Sequence, residues 1–190
     1  MSITEIIAVV FSLICVWLSV RKNVLNWPAG IIGVCAYLLL FYQQKLYADM
    51  VLQVFFIVQG FYGWYNWYKN KQEESAVSVS FLSLKMKLVY FSLLALITLV
   101  WASLLKHFTN ASLPYLDAFV STTSFLANWL MARRKTDNWI FWIIADIVYI
   151  GLFWYKGLYL SCGIYILFLG MAIAGLIKWI RQSNTNTVSR

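Results

Sequence analysis

The chain has 190 residues, of which 62% are hydrophobic and 12% charged, and its mean hydropathy is +0.73. So little polar surface excludes a water-soluble domain of this size and reads as an integral membrane protein. The formal charge of +8 does not point to nucleic acid, because the basic residues sit in short clusters between apolar runs, where membrane topology accounts for them.

Seven apolar spans follow in chain order: Ile3 to Val20, Trp27 to Gln44, Ala48 to Tyr68, Leu88 to Leu105, Tyr115 to Ala132, Trp139 to Tyr155 and Leu158 to Ile180. The first begins almost at Met1, without a basic leader region or a small-residue cleavage site, and reads as a retained helix. Pro28 falls in the opening turn of the second span and Pro114 just before the fifth, where a missing N–H breaks no helical bond. The turns near Lys45 and Gly157 are so short that the helices they join must be antiparallel neighbours. Lys69 to Lys87 is the substantial polar stretch. Cys15, Cys35 and Cys162 lie in apolar runs without paired or zinc-type spacing, so no disulfide framework, metal or cofactor is expected.

Charge orients the spans. Arg21, Lys22, Lys69, Lys71, Lys85, Lys87, Arg133, Arg134, Lys135, Lys178, Arg181 and Arg190 fall on one side, against Lys45, Lys106 and Lys156 on the other. The positive-inside rule then places the N-terminus outside and the C-terminus in the cytoplasm; Glu73 and Glu74 contribute little to it.

Laid on itself with a shift of 112 residues (139 minus 27), the chain repeats. Ser12 falls on Ser124, Trp17 on Trp129, Arg21 on Arg133, Asn26-Trp27 on Asn138-Trp139, Tyr37 on Tyr149, Leu46-Tyr47 on Leu158-Tyr159, Phe56 on Phe168, Gly63 on Gly175 and Trp67 on Trp179. Shared hydrophobicity gives scattered Leu and Ile matches, not tryptophans, asparagines and glycines in one register. Spans one to three therefore recur as spans five to seven, and the fourth returns the chain so that both triplets insert in the same direction. The expected fold is an all-α membrane protein of seven transmembrane helices, two parallel three-helix repeats joined by a linker helix. The units are residues 1–70, first repeat; 71–112, cytoplasmic loop and linker helix; 113–182, second repeat; and 183–190, polar tail. Parallel repeats of this kind occur in secondary transporters, with the solute site near the midplane between the halves.

The sixth span carries the candidate site. Trp139, Trp142, Asp146 and Tyr149 recur at helical spacing and share one face, so two indoles and a phenol flank a lone carboxylate. An ionisable group at that depth costs roughly 2.5–3.5 kcal/mol on insertion scales and faces protein or a water-filled cavity. Such a stripe would cradle a flat cation; the competing reading is that Asp146 bonds a neighbouring helix and the tryptophans face lipid. Asp146 is matched in the first half by Val34, so the acid belongs to the second half alone. The fifth span offers Asp117, Ser121, Ser124 and Asn128 on one stripe. The third offers Asp49, Gln53, Phe56 and Gly60, with Gln59 beside them. Serines and glycines on such faces serve helix packing as readily as ligand contact. The amides of Asn128 and Gln53 need partners once buried and can recognise hydroxyls or an amide on a solute. His107 reads as a solvated loop residue.

Asn-Trp-Pro-x-Gly at Asn26 to Gly30, Tyr-Ala-Asp followed by Gln at Tyr47 to Gln53, Gly-Trp-Tyr-x-Trp at Gly63 to Trp67, Asn-Trp-x-x-Trp-x-x-x-Asp-x-x-Tyr at Asn138 to Tyr149, and Tyr-Lys-Gly-Leu-Tyr at Tyr155 to Tyr159 together resemble the PnuC family of bacterial vitamin transporters. The resemblance covers nearly the whole chain except the Lys69 to Lys87 stretch and the tail after Arg181. It implies a three-plus-one-plus-three fold similar to full-length SWEET proteins, in the bacterial inner membrane. It also implies facilitated diffusion of nicotinamide riboside, drawn inward by phosphorylation of the product, with other branches taking thiamine or riboflavin. The tryptophan motif of the sixth span is the family's substrate signature and carries over to Trp139 and Trp142, with Asp146 at the acidic position; Gln53 and Asn128 are assigned from span position and polarity. Homotrimers occur in the family, and nothing in this sequence shows one.

An intramembrane enzyme would need a nucleophile with its base, paired acids or a metal cluster within the bilayer, and the spans offer none of these on a shared face. A receptor would not need a duplicated triplet with a buried acid. Without a phosphate-binding loop or a cluster of several acids for ion coupling, passive transport is the simplest mechanism.

Overall fold

The computed structural model describes residues 2–43, 47–74, 79–109, 113–155 and 157–188. Among the described residues there are seven helices: α1 (Ile3–Val20), α2 (Asn26–Gln43), α3 (Tyr47–Glu74), α4 (Leu84–Phe108), α5 (Pro114–Ala132), α6 (Asn138–Tyr155) and α7 (Tyr159–Val188). An 18-residue helix is about 27 Å long, close to the thickness of the hydrocarbon core of a bilayer. Of the seven, α1, α4, α6 and residues 159–182 of α7 are each long and apolar enough by composition to cross a membrane. The more polar α2, α3 and α5 pack among them, and the chain is a multi-pass membrane protein.

Local chemistry explains the helix ends. Ser2 caps α1 by accepting from the Glu5 N–H at 3.1 Å while Glu5 accepts from the Ser2 N–H at 3.2 Å, a reciprocal capping box. Ser83 caps α4 and Pro114 occupies the first turn of α5. The turns between α1 and α2 and between α5 and α6 have the same construction 112 residues apart. Lys22 and Arg134 adopt left-handed backbone, φ 54° and 59°, and the next N–H closes each turn, Asn23 onto Leu18 O at 3.0 Å and Lys135 onto Leu130 O at 2.9 Å. The repeat read from side chains is thus repeated in the backbone. Between α6 and α7 the left-handed position is filled by Gly157, φ 70°.

α1 packs on α2, α2 on α3, α3 on α5, α5 on α6, α6 on α7 and α7 on α1, a closed ring of six helices among the described residues, while α4 lies outside it against α5 and reaches α6 through Phe91 on Phe141, ring centroids 5.5 Å apart. The two contacts that close the ring, α3 with α5 and α7 with α1, exchange under the 112-residue shift. At one end of the ring a chain of four indoles runs Trp27–Trp67–Trp179–Trp139, with centroid separations of 5.6, 5.9 and 5.4 Å. Both outer pairs are edge-on, and Trp67 and Trp179 are fully buried. Each outer indole lies on a glycine of the third helix of its own triplet. A Cβ on Gly175 would come within 2.6 Å of the Trp139 ring, and one on Gly63 would clash with Trp27 in the same way. These positions require glycine because the backbone itself forms the surface under the ring.

The polar stretch between the third and fourth spans is shorter than the sequence indicates, since α3 continues to Glu74 and α4 begins at Leu84. The segment before α4 docks on the α5–α6 turn. Ser80 bridges to that turn through Ser80 N–H to Arg134 O at 3.2 Å and Thr136 N–H to Ser80 O at 2.9 Å. The Leu82 N–H donates to the Asp137 carboxylate at 2.7 Å, and Lys87 pairs with the same carboxylate at 3.0 Å. The tail after Arg181 extends α7 to Val188, and His107 lies in the exposed last turn of α4, where a basic side chain complements the helix C-terminus. Lys45, Lys156 and Arg190 lie outside the described residues, as does the Asp49 side chain.

Candidate functional site

The ring encloses a cavity of about 280 Å³, lined by α1, α2, α3, α5, α6 and α7. That volume is near the lower end of the roughly 300–1,000 Å³ of small-molecule sites and suits one compact solute. Its wall is built on the repeat. Ser12/Ser124, Val16/Asn128, Ser19/Met131, Trp27/Trp139, Gly30/Trp142, Val34/Asp146, Tyr37/Tyr149, Gln53/Tyr165, Phe56/Phe168 and Gly60/Ala172 are related by the 112-residue shift, and both members of every pair line it. The cavity is therefore walled by matching positions of the sequence repeat. Its shape is nearly symmetric and its chemistry is not: the carboxylate, the Asn128 amide and the additional indole all come from the second half.

Of the residues singled out in the sequence, Trp139, Trp142, Asp146, Tyr149, Asn128, Gln53 and Ser124 line this one cavity. Gln59 does not. It is 5% exposed and stands behind Asn128, accepting from the Asn128 amino group at 2.9 Å and donating to Phe125 O at 3.3 Å, so it orients an amide that faces the cavity. Asp146 is 4% exposed, and no described residue makes a hydrogen bond or ion pair with it. The indole N–H of Trp142 and the Ser124 hydroxyl are likewise buried without partners. Each such group costs about 1–3 kcal/mol unless something in the cavity satisfies it. Trp139 is 1% exposed and its ring rests on Gly175 and Trp179, which leaves Trp142, half-buried, as the freer of the two indoles.

Tyr165, Tyr37 and Asn26 join the wall without having been singled out as site residues. The repeat held the signal for two of them, since Tyr165 is the mate of Gln53 and Tyr37 the mate of Tyr149. Tyr149, Phe153 and Tyr165 form an aromatic cluster, with Tyr149 and Tyr165 centroids 4.6 Å apart. Outside the membrane-spanning segments, burial holds the Lys22 ammonium below the ordinary lysine range, and repulsion from Lys178 adds to the effect.

A cavity walled by matching positions of the repeat, with aromatic walls and an acid that no described residue pairs with, defines a membrane transporter for a small-molecule solute. The sequence matches the nicotinamide mononucleotide transporter family over residues 2–181, and the chain belongs to that family. It is 25% identical to the nicotinamide riboside transporter PnuC of Escherichia coli (strain K12), over 94% of this chain and 85% of the relative. It is 27% identical to the nicotinamide riboside transporter PnuC of Neisseria mucosa, over 92% of this chain and 71% of that one. The riboflavin/roseoflavin transporter RibM of Streptomyces davaonensis is 23% identical over 97% of this chain and 87% of its own length. The crystal structure of the vitamin B3 transporter PnuC superimposes with a TM-score of 0.77 at 25% identity, covering 96% of this chain and 82% of that chain.

Proposed function

We propose that this protein carries nicotinamide riboside across the bacterial inner membrane by facilitated diffusion, and that phosphorylation of the vitamin in the cytoplasm traps it. The observation that carries the reading is Asp146, a buried carboxylate without a partner among the described residues, on the same cavity wall as Trp142. A pyridinium ring supplies both the cation and the flat face these groups lack. The PnuC proteins of Escherichia coli and Neisseria mucosa, named for nicotinamide riboside, support the same solute. A phosphorylated nucleotide fits less well, because among the described residues no lysine or arginine lines the cavity and the one charged side chain there is acidic. Riboflavin, named for the Streptomyces relative, is the second reading; its larger, neutral ring would leave Asp146 unpaired.

The transport cycle we infer rocks residues 1–70 against residues 113–182 around the cavity, with residues 71–112 as loop and linker. In this three-plus-one-plus-three, SWEET-like arrangement the two triplets run parallel, and residues 183–190 form a tail. The closed ring of contacts, with α4 outside it against α5 and α6, supports it. The N-terminus lies outside and the C-terminus in the cytoplasm, so reporter fusions at Gln72 and Arg190 should both read cytoplasmic. The transporter assembles in lipid as a monomer or a homotrimer, which light scattering of the purified protein distinguishes. The deciding experiment is uptake by vesicles containing the purified protein, with nicotinamide riboside, thiamine and riboflavin in parallel. Saturable uptake of the riboside alone is expected; uptake of riboflavin alone would replace the reading with its alternative.

A further inference from the structure

Asn26 opens α2 and lines the end of the cavity nearest the α1–α2 turn. It is 1% exposed, yet neither its side-chain oxygen nor its amino group has a hydrogen-bond partner among the described residues. The repeat provides an internal control. Asn138, 112 residues on, sits in the same turn: its N–H donates to Lys135 O at 3.1 Å, as the Asn26 N–H donates to Asn23 O at 3.0 Å. Asn138 also folds its amino group back onto Lys135 O at 2.6 Å, and it does not line the cavity. The corresponding carbonyl, Asn23 O, is in place at the first turn, but the Asn26 side chain does not use it and lines the cavity instead. One residue type in one kind of turn thus takes two directions, so the local backbone does not dictate where Asn26 goes. The other groups that α2 gives the wall are Trp27, Gly30, Ile31, Val34 and Tyr37, which makes Asn26 the single carboxamide on that side.

We infer that Asn26 is a ligand-contacting, specificity-determining residue, pairing its carboxamide with a group on the solute that offers a hydrogen-bond donor and an acceptor side by side. This rests on the vitamin-transport reading above. An amide carries one acceptor oxygen and two donor hydrogens, and buried without partners it is complete only when a matching edge arrives. On a ribosylated pyridine two edges have this chemistry, the ring carboxamide and the adjacent ribose hydroxyls. The first half would then read the polar edge of a solute whose charge is met by Asp146 in the second, which gives a symmetric frame a single binding direction.

The test measures binding of nicotinamide riboside and of nicotinic acid riboside, which keeps the ribose but has a carboxylate for the carboxamide. The proteins are the purified full-length wild type, Asn26→Leu and Asn138→Leu, each also melted without ligand. Asn26→Leu is expected to lose tenfold or more in affinity for nicotinamide riboside. Its substrate-free melting temperature should equal or exceed that of wild type, because an unpartnered buried polar group has been removed. Asn138→Leu is expected to melt lower and to bind within about twofold of wild type. If the carboxamide is the partner, Asn26→Leu leaves nicotinic acid riboside binding unchanged; if the hydroxyls are, both ligands weaken by the same factor. Riboside binding by Asn26→Leu within twofold of wild type, or a substrate-free melting temperature lowered as in Asn138→Leu, overturns the inference. A wild type that binds neither riboside refutes the vitamin reading, while the melting comparison still decides whether Asn26 is a fold residue.

Discussion

Replacing Asp146 by asparagine isolates the charge of the site while keeping its shape and a hydrogen-bonding oxygen. The carboxylate is 4% exposed and has no partner among the described residues, so no described group offsets its burial. Asp146→Asn should therefore insert normally and melt at or above the wild-type temperature. With a cationic ring about 4 Å away, attraction at an effective dielectric constant of about 20 is roughly 4 kcal/mol, part of which is consumed in stripping water from the cation. The net loss on removing the charge should be about 1.5–3 kcal/mol, the usual worth of a hydrogen bond to a charged group. At 1.4 kcal/mol per decade that is roughly ten- to 150-fold in affinity. Tryptophan fluorescence quenching reads it directly, because Trp142 lines the same cavity. Neutral nicotinamide should bind weakly to wild type and be little changed by the substitution. Lowering the pH should weaken riboside binding to wild type as protons compete for the carboxylate, and leave the asparagine variant flat. Equal riboside affinity of the two proteins across that range would refute charge pairing and make Asp146 a structural residue.

Trp142→Ala should weaken riboside uptake by about two- to thirtyfold, the loss of about 0.5–2 kcal/mol from a cation on an aromatic face, with little change in melting temperature. Trp27→Ala and Trp139→Ala should both lower the melting temperature, by similar amounts, because each ring rests on a glycine and a second indole. Any uptake defect that Trp139→Ala shows beyond Trp27→Ala at equal expression measures stacking on the solute, and equal defects mean that both rings act through packing. Asp137→Ala should cost about 1.5–3 kcal/mol of stability, since it removes the acceptor of the buried Leu82 N–H and the partner of Lys87; chemical denaturation in detergent checks this. Lys22 titrates below the ordinary lysine value of 10.5, so between its folded value and 10.5 the unfolded chain binds the proton more tightly and stability rises with pH. Lys22→Gly should flatten that slope in thermal melts and also relieve the left-handed backbone at φ 54°.

Most of the helical architecture was legible because membrane helices advertise themselves by apolar length, and because the repeat places tryptophans, glycines and asparagines in one register. Helix ends were less so. The extensions of α3 to Glu74 and α7 to Val188 are polar, and hydropathy cannot distinguish a polar helical turn from a loop. The docking of Ser80 and Leu82 on Asp137 was hidden for a different reason: a backbone N–H reaching a carboxylate 55 positions away leaves no periodic trace. Within the site, the stripe of Trp139, Trp142, Asp146 and Tyr149 was readable from helical spacing, since all four project from one helix face. The role of Gln59 was not, because residues 59 and 53 are both amides on one apolar helix and only the position of α5 decides which meets the cavity and which meets Asn128.

The register of the repeat, followed through the cavity wall, separates what the fold requires from what a solute requires. Pairs that stay alike, Ser12 with Ser124, Trp27 with Trp139, Tyr37 with Tyr149 and Phe56 with Phe168, stand where two similar triplets must present similar surfaces to each other. Packing a duplicated fold needs nothing else at these positions. Pairs that diverge, Val34 with Asp146, Val16 with Asn128 and Gly30 with Trp142, put a charge, an amide and an aromatic face opposite small or apolar side chains. Symmetry of the fold cannot account for those differences, because the same packing is achieved in the first half without them. A solute that is cationic at one place and polar at another can account for them, since it has no two-fold axis of its own. Among pairs whose two members both line the cavity, substituting a divergent residue should accordingly alter binding more than stability, and substituting a matched one should do the reverse; Asn26 stands outside this rule, because its identical mate Asn138 does not line the wall.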